Sequence, residues 1–156
     1  MTWPPHDPSR ELALDALGDL APEEILYEFD GPCIFTARAP SQALLLAYLI
    51  EEIDDESLLR YLVTTTSPST VRELREGLIP IRQALTRGSM WLADLSFSLA
   101  PQRIFAIEAD ELPEDALPAD GTMLLASLEP ALRVKLEGPE ITQGNPLRQK
   151  RARGRR

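Results

Sequence analysis

Very few side chains in this 156-residue sequence are suited to covalent or acid–base chemistry. His6 is the only histidine, and it lies in a proline-rich leader, Met1-Thr2-Trp3-Pro4-Pro5-His6. A histidine-based triad needs an imidazole held by a folded support, so His6 is expected to be an exposed leader residue. Cys33 is the only cysteine. A nucleophilic thiol needs a nearby cation or a helix N-terminus to lower its pKa. Cys33 instead precedes Ile34 and Phe35 at the start of an apolar run, where a packed, inert thiol is expected. One histidine and one cysteine do not make a zinc site, which takes several such ligands.

Two acidic groups remain: Glu51, Glu52, Asp54, Asp55 and Glu56, then Glu108, Asp110, Glu111, Glu114 and Asp115. The first lacks the glycine and the ligand spacing of an EF-hand loop, and both read as solvated loops. A carboxylate pair acting as acid and base stays open as a weaker, third function class, with no pair singled out. There is no Gly-rich phosphate loop, nucleophile elbow or dinucleotide fingerprint. No catalytic residue, metal ligand or cofactor is assigned.

Two features point to binding. Tyr27, Phe29, Phe35, Trp91, Phe97 and Phe105 recur at strand spacing and are expected to be mostly core. Trp91 is the candidate interface anchor among them, because tryptophan is enriched at binding hot spots. The second feature is a basic tail holding Arg148, Lys150, Arg151, Arg153, Arg155 and Arg156. These are candidate contacts to nucleic acid or to an acidic partner. Like charges so closely spaced repel one another, so the tail, residues 138–156, is expected to be disordered. Residues 1–147 keep 10 basic residues against all 25 acidic ones, a formal balance of −15. Such a body repels phosphate backbones and anionic lipid and suits a basic protein partner.

The elements that must position these residues are legible in outline. The length fits one domain, taken as residues 9–137 after an irregular leader, residues 1–8. The absence of an internal disulfide fits a reducing compartment. The leader has no secretory character, and the apolar run Ala43 to Ile50 is far shorter than a membrane helix of about 20 residues. A cytoplasmic protein with no membrane contact is expected.

Asp7, Pro8 and the spacing of Leu12, Ala13, Ala16, Leu17 and Leu20 predict a short N-terminal helix. Asp30-Gly31-Pro32 between two aromatic runs predicts a hairpin. The run Ala43–Ile50 suits either a helix by propensity or a strand buried on both faces; the strand is preferred, with Glu51 to Glu56 as its loop and Leu58 to Thr66 as its partner. Thr70-Val71-Arg72-Glu73 matches a capping box. It would open a helix that ends at Gly77, followed by a second short helix from Pro80 that Gly88 closes. Met90–Phe97 and Arg103–Glu108 read as paired strands, with Pro101 at the turn. The fold class that results is α+β: an antiparallel sheet of about five to seven strands, a short helical pair on one face and the N-terminal helix.

The order Leu26-Tyr27-Glu28-Phe29-Asp30-Gly31-Pro32, Ile34-Phe35, Val63-Thr64-Thr65-Thr66-Ser67-Pro68 and Leu74-Arg75-Glu76-Gly77 resembles a family of small bacterial domains of unknown function. Its members share a Tyr-Tyr-Asp-Gly-Pro-like hairpin and a Leu-Arg-Ser-Gly-like helix end. The resemblance spans about residues 17–120, with Phe29 in place of the second tyrosine. It implies a bacterial origin and an α+β domain, and it carries no catalytic residue.

Taken together, the residues point to a non-enzymatic protein-interaction module of a bacterial cell, such as an antitoxin, an immunity-like protein or an accessory subunit of a defence or regulatory locus. The alternative is a nucleic-acid-associated adaptor, making weak, salt-sensitive contacts through its basic tail.

Overall fold

A computed structural model describes residues 8–124. The expected domain boundary at residue 137 and the basic tail lie outside them. Seven strands form one antiparallel sheet: β1 (Glu11–Leu12), β2 (Glu24–Glu28), β3 (Pro32–Arg38), β4 (Leu44–Ile53), β5 (Leu58–Thr65), β6 (Met90–Ser96) and β7 (Pro101–Ile107). Their spatial order is β1-β7-β6-β5-β4-β3-β2. Strands β2 to β7 therefore run as a meander, and the two-residue β1 pairs with β7 at the far edge. Two helices, α1 (Pro68–Arg75) and α2 (Ile81–Leu85), sit between β5 and β6. No helix among the described residues is long and apolar enough to cross a membrane.

The sheet is apolar on both faces at its centre, as a continuous hydrophobic strand such as β4 requires. One row across it runs Phe35, Ala47, Val63, Trp91 and Ala106; the next, on the opposite face, runs Ile34, Tyr48, Leu62, Leu92 and Phe105. Phe35 and Tyr61 meet edge to face with ring centroids 5.3 Å apart, a geometry that aromatic quadrupoles favour. The Tyr61 hydroxyl donates to the Pro32 carbonyl at 2.7 Å and ties β5 to the start of β3. Leu74 of α1 and Ile81, Ala84 and Leu85 of α2 join the same core. So do Leu17, Leu20, Leu117 and Leu124 from the segments flanking the sheet.

The hairpin at Asp30-Gly31 and the strand identity of Leu44–Ile53 agree with the expectations from sequence. The N-terminal helix does not form. Pro8–Arg10 make a single 3-10 turn, and Glu11 and Leu12 are captured by the β7 backbone. Residues 14–19 are turns, and the chain passes through left-handed backbone at Leu20 (φ 53°). A helix this short has little stability of its own, whereas the turns bury Leu17 and Leu20 and let β1 complete the sheet.

Helix α1 begins a turn earlier than the capping box implied. Ser67 is its N-cap, accepting from the Thr70 amide at 3.1 Å, and Pro68 occupies the first turn, where its missing N–H is harmless. Its end agrees with expectation. Gly77 has φ 72°, its amide bonds the Leu74 carbonyl, and the Leu78 amide bonds the Glu73 carbonyl, a Schellman arrangement. Gly88 does not close α2, whose C-cap is Thr86. A Cβ at Gly88 would lie 2.1 Å from Thr65 Oγ1, so the glycine lets the chain entering β6 pass against β5. Strand β4 extends through Glu51 and Glu52 by means of a bulge after Leu49, which shortens the acidic loop to Asp54–Glu56. Phe97 falls outside β6 and is exposed, while Pro101 is the first residue of β7 rather than part of the turn.

Leu74 is fully buried where the helical pair meets the sheet core. Leu74→Ala is expected to destabilise the fold by about 2–5 kcal/mol, the range for a leucine cavity. Chemical denaturation checks it, and a change within error would mean that the helical pair is not part of the core.

Candidate functional site

Trp91 is the only tryptophan among the described residues, and the sheet gives it an unusual setting. Its register partners are Val63 on β5 and Ala106 on β7. Ala106 is small, and Gly88 precedes the strand, so little side-chain bulk flanks the indole on these sides. Trp91 is consequently half-buried, and it lines an open cavity of about 400 Å³ at the α2-proximal ends of β6 and β7. Met90 and Ile107 supply further apolar wall, and Thr86 and Ser89 supply hydroxyls. Glu108 is the one charged residue in the lining.

The loop beyond the cavity is acidic and well tied. Glu108 and Glu111 form a reciprocal capping box around the 3-10 turn Ala109–Glu111, with the Glu108 amide donating to Glu111 Oε1 at 2.8 Å. Glu111 also accepts from Arg10. The Arg10 hydrogen bond, followed by the Glu108 amide, holds the Glu111 carboxyl below the usual carboxylate range, against a smaller opposing effect of burial. Arg82 on α2 fastens the rest of the loop by donating to the carbonyls of Pro118 and Glu114, each at 2.9 Å. Arg87, next to the cavity in sequence, is engaged with Thr70 and Glu73.

A second polar cluster lies inside the sheet. Glu51, Arg60, Asp94 and Arg103 are successive register partners on β4, β5, β6 and β7. Asp94 has no exposed surface, and Arg60 is 4% exposed. Arg60 grips the carboxylate with two parallel bonds, Nε to Oδ1 at 2.7 Å and Nη2 to Oδ2 at 2.8 Å. Its Nη1 reaches Glu51 at 3.2 Å. Arg103 Nε donates to Asp94 Oδ2 at 2.8 Å, and its Nη2 reaches Glu56 at 3.1 Å. Burial opposes the charge on Arg103, but hydrogen bonds and attraction to Asp94, then to Glu56, outweigh it and raise its pKa. With Glu56 counted, three carboxylates and two guanidiniums leave the cluster slightly negative, with both arginines committed. It has the make-up of a structural clamp rather than an anion site.

The other candidates separate cleanly. Cys33 is buried, with Sγ 3.6 Å from the carbonyl oxygens of Phe29 and Gly31. No group of three or more potential metal ligands is gathered among the described residues. His6 and the six basic tail residues, Arg148, Lys150, Arg151, Arg153, Arg155 and Arg156, lie outside them. The Arg60–Asp94–Arg103 row was not singled out from sequence. Its signal is an isolated charge in the middle of each of three apolar strands, with opposite signs on neighbouring strands of the meander. Comparison with protein families, curated proteins and solved structures found no match in any of the three.

Removing one member of the buried row leaves charge without a partner. Asp94→Ala is expected to cost about 3–5 kcal/mol, and Asp94→Leu combined with Arg60→Met to recover most of that loss. Denaturation of the three proteins tests this, and an Asp94→Ala protein as stable as wild type would refute the clamp.

The lowered pKa of Glu111 makes its stabilising effect full above its unfolded-state value and lost as pH falls through the folded one. The gap in melting temperature between wild type and Glu111→Gln is expected to be constant near neutrality and to shrink below about pH 4.5. A gap that is unchanged down to strongly acid pH would show that the carboxylate is not held ionised by Arg10.

Proposed function

We propose that this protein is a non-enzymatic, bacterial protein-interaction module that docks a basic segment of a partner protein on the cavity walled by Trp91 and Glu108. The observation that carries the reading is the charge balance of the described residues. Residues 8–124 contain eight arginines and no lysine against 21 carboxylates, a formal balance of −13. At least seven of those arginines are seated in ion pairs within the fold. Internal pairing therefore consumes the cations and leaves a net negative field over the surface. That field speeds the approach of a basic partner, while a half-buried tryptophan offers a site where a cationic side chain can stack over the ring. Antitoxins, immunity-like proteins and accessory subunits are the kinds of protein this reading covers.

The test is titration of the full-length protein with two synthetic nonapeptides, one rich in arginine and lysine and one rich in glutamate, followed by isothermal titration calorimetry and, where Trp91 is retained, at its indole by NMR. The basic peptide is expected to bind saturably and to weaken at least tenfold between roughly 50 and 300 mM salt, as screened charges should. Trp91→Ala is expected to weaken it by about tenfold or more, the scale of an interface hot spot. Salt-independent binding, or binding that Trp91→Ala leaves unchanged, would overturn the reading.

A further inference from the structure

We infer that the basic segment Arg148–Arg156 of this same chain occupies the Trp91 cavity in the absence of a partner, so that the site is self-masked. This rests on the reading of that cavity as a site for cationic segments. It adds a regulatory contact that the reading does not require.

Charge is separated along the chain. The six basic residues of segment 148–156 have no acidic residue among them, whereas the arginines of residues 8–124 are largely committed to ion pairs. The segment is thus the densest run of positive charge in the sequence. The cavity it would enter is lined by one carboxylate, Glu108, and no cation.

The described chain ends beside α2. Met123 bridges to Pro80, and the Thr122 carbonyl accepts from the Ile81 amide at 2.8 Å, so the chain leaves beside the first turn of α2. Thr86, on the rim of the cavity, directly follows the last residue of α2. Five helical residues span only about 8 Å. Twenty-three residues separate Leu124 from Arg148, and a chain of that length reaches on the order of 75 Å when fully extended. The segment can therefore reach the cavity. Tethering over such a length gives an effective concentration of roughly 1 mM. A segment that binds in trans with a dissociation constant of about 0.1 mM would then be seated about nine-tenths of the time, and would weaken a competing basic ligand on the order of tenfold.

The experiment uses the full-length chain in a Trp3→Phe background, which leaves Trp91 as the only indole. It compares this protein with a variant in which Arg148, Lys150, Arg151, Arg153, Arg155 and Arg156 are all glutamine. At low salt the Trp91 indole signals of the two are expected to differ, and raising the salt to bring the first onto the second, independently of protein concentration. A peptide of residues 148–156 added as a probe is expected to bind the glutamine variant about tenfold more tightly than the protein with its basic segment intact. Identical indole signals together with equal probe affinity would overturn self-masking and leave the proposed partner site standing. A probe that binds neither protein would defeat the partner site as well. A signal difference that vanishes on dilution would identify a second copy, not the same chain, as the occupant, and would overturn the inference in the form given.

Discussion

A fully buried carboxylate at the centre of the sheet, Asp94, is the constraint on which the arrangement depends. An isolated carboxylate is very costly in such a position. Here it is tolerated because Arg60 on one neighbouring strand and Arg103 on the other both donate to it. Buried ion pairs add little net stability over apolar residues of the same shape. Their physical value in this sheet is selection of register. A slip of one residue between β5 and β6 would turn a charge onto the opposite face, where Tyr61, Ala93 and Leu95 are packed without polar partners for it. The charges therefore penalise every register but one across four strands.

That register also builds the cavity. Trp91 is three residues from Asp94, so it projects from the opposite face of β6. Once Asp94 is held between Arg60 and Arg103, Trp91 must lie beside Val63 and Ala106. Ala106 is too small to cover the indole, and the approach of Gly88 to Thr65 brings the α2–β6 connection in close without adding a side chain. A clamp on one face thus determines which residues flank the tryptophan on the other.

Much of the fold was legible because it follows local rules. The Asp-Gly turn requires left-handed backbone and found it at Asp30 and Gly31, with φ 57° and 118°. Gly77 ends α1 as a C-terminal glycine should. The failures share a different cause, which is that long-range partners override local pattern. Leu12, Ala16 and Leu20 have helical spacing, but β7 presents an open edge to Glu11 and Leu12, and no local rule anticipates that pairing. Glu51 looked like loop because it is acidic; it is strand because Arg60 lies opposite. Trp91 could be picked out by residue type, but the cavity beside it depends on Ala106 and Gly88, which carry no signal of their own. The charge row was hidden for the same reason, since its meaning lies in the pairing of three distant positions.

The same division of charge bears on selectivity. Electrostatic attraction to an acidic body raises the encounter rate with any cation, and phosphate-like or cationic contacts of this kind position without discriminating. Discrimination must come from a short-range feature, and Trp91 is the one the sheet holds in place at an accessible site. If the chain's own basic segment competes there, charge alone no longer suffices for an incoming ligand. Both competitors carry positive charge, so the shared long-range attraction cancels in the comparison. What remains is the fit against the indole, the hydroxyls of Thr86 and Ser89, and the Glu108 carboxylate. On the proposed reading, a tethered basic segment would in this way convert a site open to many basic proteins into one that favours those with the right side chain at the right place.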